Sequence, residues 1–216
     1  MDYKKIDEIL LKLKSAYEGI GAEVELVVEE AASVEEVEDV ENSIGRKLPL
    51  QIREFFLQYS KKCELSAWLP EDFELPDELD EIFSASFLIS LEEFQDAEKW
   101  RREWVEKCFS DEEDEYDAVW HHKLGFMNVP NGDIIAFDIK ANEINPPVVY
   151  LSHDDGEGHG YILGKDFNTY FEELLLVGAC GNEDWQMLPF YLDEKSGIVS
   201  DCDNAKEYRR IIGINE

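Results

Sequence analysis

Positive charge is what this sequence has least of. Lysine and arginine number 20 against 51 aspartates and glutamates, which gives a formal net charge of −31 over 216 residues. A field of that sign repels nucleic-acid phosphates and anionic membranes, so neither is an expected partner. Long apolar runs are also missing. No stretch approaches the roughly 18 apolar residues that mark a membrane-spanning helix. The four cysteines, Cys63, Cys108, Cys180 and Cys202, are far apart and form no CxxC pair. Three disulfide pairings are open to them, but nothing else suggests a small stapled scaffold. The opening Met1-Asp2-Tyr3-Lys4-Lys5 leads into an amphipathic pattern rather than a basic and apolar leader, so the expected location is the cytoplasm, with reduced thiols. There is no serine nucleophile elbow, no phosphate-binding glycine loop and no dinucleotide fingerprint. The sequence therefore points to no catalytic residue, no cofactor and no metal motif.

Large apolar side chains are plentiful. Apolar residues make up 44% of the chain and aromatics 12%, more than a disordered acidic polymer carries. The stretch Leu124–Asp155 organises the rest. Its segments Asp133–Asp138 and Val148–Ser152 read as strands, with Ile134–Phe137 and Val148–Leu151 apolar throughout, as expected of strands buried on both faces. Asn131-Gly132 supplies turn chemistry before the first of them.

Helices are expected around these strands. Ile6, Ile9, Leu10, Leu13 and Tyr17 make an amphipathic stripe that ends at Gly19 and Gly21. Glu23–Glu30 alternates only in part and suits either a short strand or a linker. Ser33-Val34-Glu35-Glu36 is a capping box opening a helix with Val34, Val37, Val40 and Ile44 inward, stopped by Gly45. Leu48-Pro49 starts another, with Ile52, Phe55, Phe56 and Tyr59 buried. Leu65–Leu69 and Ile82–Ile89 read as strands, the latter with Phe83, Ala85, Phe87 and Ile89 on one face. Ser90-Leu91-Glu92-Glu93 is a second capping box; its helix carries Leu91, Phe94, Ala97, Trp100 or Arg101, Trp104, Val105 and Cys108. Asp166 precedes a helix bearing Phe167, Tyr170, Phe171, Leu174 and Leu175, with Gly178 as its left-handed cap. A short helix is expected over Asn204–Ile212.

Taken together, these patterns predict an α+β chain, a single compact domain over 1–216 in which helices pack on a twisted, mostly antiparallel sheet. Within it, 31–190 is the expected core, 1–30 a helical addition and 191–216 an extension.

Two groups invite a functional reading. The first is His153-Asp154-Asp155-Gly156-Glu157-Gly158-His159 at a strand end, where His153, Asp155 and His159 would be the ligands of a metal-dependent hydrolase. Their spacing matches no defined metal motif, and a solvated turn accounts for the same residues. The second is acidic. Glu71, Asp72, Glu74, Asp77, Glu78, Asp80 and Glu81 form one cluster and Asp111–Asp117 another, interleaved with Trp68, Phe73, Tyr116 and Trp120. Aromatics ringed by carboxylates suit a surface for a basic protein, with anchors to bury and charge to steer. The expected partner-binding residues are Trp68, Phe73, Glu74, Asp77, Asp114, Tyr116 and Trp120.

The order of motifs adds a resemblance. Val37–Pro49, with Gly45 and Leu48-Pro49, followed by Ile52, Phe55, Phe56 and Leu57, resembles the opening signature of the SUKH superfamily. Val129–Asp133, Phe137-Asp138, Val149–Asp154 and Phe167–Leu175 are similar to its central and closing segments. The resemblance implies a compact α+β fold with no catalytic residues to carry over. It also implies a role like that of bacterial members, which bind and neutralise cognate polymorphic toxins, often nucleases. Fungal relatives imply the alternative, a regulatory or scaffold module. The acidic insert Pro70–Glu81, the segment Glu92–Asp117 and the tail after Phe190 depart from the shorter members.

Overall fold

Helix α1 (Tyr3–Gly19) places Ile6, Leu10, Leu13 and Tyr17 on one buried face, and the Asp2 side chain caps it by accepting the Lys5 N–H. This computed structural model describes residues 1–214. Strand β1 (Val24–Val28) follows α1, and helices α2 (Val34–Ile44) and α3 (Leu50–Gln58) come next. The capping box on α2 is formed in both directions. Ser33 Oγ accepts the Glu36 N–H and the Glu36 carboxylate accepts the Ser33 N–H. Gly45 ends α2 at φ +79°, a conformation that costs glycine little.

Strands β2 (Lys62–Trp68) and β3 (Ser84–Ser90) complete a three-stranded antiparallel sheet in the order β1-β2-β3. Helix α4 (Glu93–Lys107) and the single turn α5 (Asp117–Trp120) lead into a second sheet. It is an antiparallel meander of β4 (Lys123–Asn128), β5 (Ile134–Asp138), β6 (Val148–Leu151) and β7 (Ile162–Gly164). Helix α6 (Phe167–Leu176), capped by Asp166, then α7 (Asp184–Met187), a 3-10 turn over Leu188–Phe190 and α8 (Asp203–Ile211) close the chain. The architecture is α+β as expected, in one domain, with the antiparallel strands divided between two sheets. Among the described residues no helix is long and apolar enough to cross a membrane.

The alternation in β5 and β6 explains why both are apolar throughout. Ile135, Phe137, Val148 and Tyr150 face the main core, which α1, α2, α3 and α6 cover. Ile134, Ala136, Val149 and Leu151 face a second cluster built with Phe109 and Trp120. Each fully buried aliphatic or phenyl side chain there contributes roughly 1.5–3 kcal/mol. The short helix α5 is held chiefly by that packing.

Some expectations change. Ser90 remains in β3, paired with Lys62, and α4 starts only at Glu93. The second capping box therefore does not close, although Ser90 Oγ accepts the Glu93 N–H. On α4 the choice between Trp100 and Arg101 falls on Arg101, which is buried while Trp100 lies outside. Phe83 precedes β3 and faces solvent, whereas Ala85, Phe87 and Ile89 point inward.

Candidate functional site

Asp133 leads from the Asn131-Gly132 turn into β5, and its carboxylate is buried. Oδ1 accepts the His153 backbone N–H at 2.8 Å and its Nδ1–H at 2.6 Å. Oδ2 accepts the Tyr150 hydroxyl at 2.6 Å and the Asn131 side-chain amide at 2.7 Å. Four donors on one buried carboxylate clasp the β4–β5 turn to the end of β6. Asp133, His153 and Asp154 are also the one group, among the described residues, with ligand atoms close enough to share a metal ion, all within 4.8 Å of one another. An ion there would have to displace a hydrogen bond that Asp133 already accepts, so the arrangement works as a structural clasp.

The trio His153, Asp155 and His159 is not assembled as a ligand set. His159 Nδ1 accepts the Ser152 N–H at 3.0 Å, which places its proton on Nε2 facing the Tyr116 carbonyl at 3.1 Å. Burial holds its pKa below the ordinary histidine value. Both ring nitrogens are committed, and the ring itself is stacked on Tyr116 at 3.8 Å. Asp155 is exposed at φ +64°, with its N–H donated to the Tyr116 hydroxyl.

The glycines of this loop serve a second buried carboxylate, Asp184 of α7, which is 2% exposed. The Gly158 N–H donates to Asp184 Oδ2 at 2.9 Å, and a Cβ on Gly158 would stand 2.6 Å from the Asp184 Cβ. Among the described residues Asp184 Oδ1 has no hydrogen-bond partner. Burial raises the Asp184 pKa from its ordinary 3.8. A carboxyl whose folded pKa is raised binds its proton more tightly in the native state. Its contribution to stability is therefore present at acid pH and lost as pH climbs through the folded value. Asp184→Asn should match the parent near about pH 4 and be more stable by about 1 kcal/mol near about pH 8. Urea unfolding at the two pH values measures the difference, and a gap that does not change with pH would refute the assignment.

The residues expected at a partner surface part company in the structure. Trp68, at the end of β2, is 65% exposed and stacks on Phe83 with ring centroids 5.5 Å apart and planes 21° apart. Glu71, Asp72, Glu74, Asp77, Glu78, Asp80 and Glu81 are all exposed around the following loop. That loop is pinned from beneath by buried Leu79 and Ile82 and by half-buried Phe73, so Phe73 is an anchor for the loop more than a free surface group. Asp114 is exposed, but its Oδ1 accepts the N–H groups of Tyr116 and Asp117 at 2.9 and 3.1 Å. Tyr116 is half-buried and its hydroxyl donates to the Ser152 carbonyl.

Trp120 is a correction. It is fully buried, stacked on Phe109 with centroids 4.7 Å apart, at the centre of the second hydrophobic cluster. It offers no surface to a partner. The residue that sequence reasoning missed is Phe83, which pairs with Trp68 in its place. Ser84 stands opposite Trp68 in the β2–β3 register, and that pairing sets Phe83 one residue outside the strand. Gln186 of α7 then accepts the N–H groups of both Phe83 and Ser84 at 3.2 Å. The short helix α7 thus braces the Trp68–Phe83 stack through Gln186 and the glycine loop through Asp184.

The model of the SMI1 / KNR4 family (SUKH-1) matches residues 31–173. No curated protein and no solved structure matches the chain.

Proposed function

We propose, from the premise that this chain belongs to the SMI1/KNR4 family (SUKH-1), that it is an immunity protein. Members of that family are typically protein-binding modules without catalysis. In this reading the chain binds a basic toxin domain of bacterial origin and neutralises it by covering its active or substrate-binding surface. The carrying observation is the exposed Trp68–Phe83 stack, which closes a loop that carries seven exposed carboxylates. Such a stack is a rigid apolar anchor with little side-chain entropy to lose, and it stands where charge gathers a basic partner. A carboxylate array of this kind also resembles nucleic-acid phosphate in charge, which favours a nuclease as the toxin.

The test is co-expression with a toxin domain encoded beside the protein, scoring growth rescue and co-purification together. Rescue with a stable one-to-one complex is the expected result, and Trp68→Ala should weaken the complex by about 2 kcal/mol. Absence of both rescue and complex, with both proteins folded, would overturn the immunity reading in favour of a regulatory module.

A further inference from the structure

Every sheet edge carries N–H and C=O groups that point away from the neighbouring strand and need partners. Among the described residues, three of the four edges are covered by the chain itself. On β3, the Ser86 N–H donates to the Ala179 carbonyl at 3.0 Å, and Ala85 bridges Cys180. On β4, the Gly125 N–H donates to the Glu98 carboxylate at 2.9 Å. On β7, the Leu163 carbonyl accepts the Ile198 N–H at 3.0 Å, and the Ile162 N–H reaches the Glu194 carbonyl at 2.9 Å.

The edge of β1 is different. Among the described residues its only strand neighbour is β2, and the Glu29 N–H bond to the Lys62 carbonyl at 2.9 Å fixes the alternation of the ladder. In the register Val27↔Glu64 and Glu25↔Ser66, residues 25, 27 and 29 face β2. Val24, Leu26 and Val28 therefore turn their backbone groups outward. Among the described residues none of those groups has a hydrogen-bond partner.

The surroundings specify what can pair there. Glu23, Glu25, Glu29 and Glu30 are exposed along the strand and its flanks. A cleft of about 320 Å³ beyond its far end is lined by Glu29, Glu36, Asp39 and Glu92 against Lys61 and Lys62. A second copy of the chain would bring these carboxylates against their own kind at −31 each, so self-pairing is disfavoured. A basic strand meets the opposite balance.

We propose that the free edge of β1 receives an extended basic segment of a partner protein as an added strand, its backbone bonded to Val24, Leu26 and Val28 and its basic side chains set against the glutamates. Backbone bonds give such a pairing its affinity and the alternating side chains its specificity. The proposal rests on the protein-binding reading above and adds a surface to it.

The probe is a synthetic peptide of about ten residues alternating lysine with valine, long enough to span the strand. It is added to the full chain, with amide hydrogen exchange followed by NMR. Exchange at Val24, Leu26 and Val28 should slow by about tenfold or more. Val28→Pro removes an outward donor without touching the β2 ladder and should weaken the peptide about fivefold, the loss of one net hydrogen bond. The same peptide N-methylated at alternate amides tests the point with the protein unaltered, and it should not bind. Equal binding of the methylated peptide, or free exchange at the three amides in the complex, would overturn the proposal, as would dimerisation through β1 in sedimentation. A toxin that is captured while those amides exchange freely would overturn this inference alone and leave the immunity reading standing.

Discussion

Glu98→Ala should destabilise the protein by about 3–5 kcal/mol, lowering the melting temperature by roughly 10 °C for a chain of this size. Glu98 is a buried carboxylate on α4 that holds four donors. Arg101 reaches it at 2.8 and 3.0 Å, Arg102 at 2.6 Å and the Gly125 N–H of β4 at 2.9 Å. The arginines extend the network, Arg101 to the Trp120 carbonyl at 3.1 Å and Arg102 to the Ile44 carbonyl at 2.6 Å. One side chain thus ties α2, α4, α5 and β4 together. Removing it leaves the buried Arg101 charge uncompensated and an edge N–H without its acceptor. Replacing Glu98 and Arg101 together by methionine should recover about 2 kcal/mol of the loss, because no buried charge is then left alone. Thermal and urea unfolding of the three proteins measures this. A double variant no better than Glu98→Ala would show that the charge is not the source of the cost.

Glu98 also marks the limit of what the sequence discloses. A glutamate followed by arginines at three and four residues reads as an ordinary solvated helix face. Only the packing of β4 over α4 makes it a buried hub. Strands β5 and β6 were legible because four apolar residues in a row admit few other readings, and the capping box at Ser33 because it is local. Strand β4 was not. Its Gly125, Met127 and Asn128 carry little strand preference, and the glycine is there because a Cβ would stand 2.8 Å from the Ala97 carbonyl of α4.

The acidic surface was legible in composition but not residue by residue. Trp68, the loop carboxylates and Asp114 do lie at the surface, while Trp120, embedded in the same acidic stretch, is core. What separates them is tertiary. Trp120 packs in one cluster with Ile134 and Val149 of the β4–β7 sheet, while Trp68 is the last residue of β2 and is 65% exposed. Likewise, the histidine-rich loop resembled a ligand set until the structure assigned each ring nitrogen of His159 a backbone partner.

Reversing charge at Glu71, Asp72, Glu74 and Asp77 to lysine should slow association with a basic toxin domain by about 10- to 100-fold at low ionic strength. Each reversal changes the charge by two, so four of them bring the net charge from −31 to −23. The change is concentrated beside the Trp68–Phe83 stack. All four side chains are exposed and, among the described residues, none forms an ion pair, so the fold should lose little. Steering acts over the screening length, and the gap between the variant and the parent should close near about 1 M salt, where that length is about 3 Å. Trp68→Ala should do the reverse. It leaves the field intact and removes the anchor, so the association rate should hold while dissociation accelerates by about 30-fold, the kinetic equivalent of about 2 kcal/mol. Stopped-flow association and surface-based dissociation across a salt series separate the two effects. Association rates that are independent of salt in the parent protein would remove steering from the mechanism. An unchanged dissociation rate in Trp68→Ala would move the anchor elsewhere, with the edge of β1 as the next surface to probe.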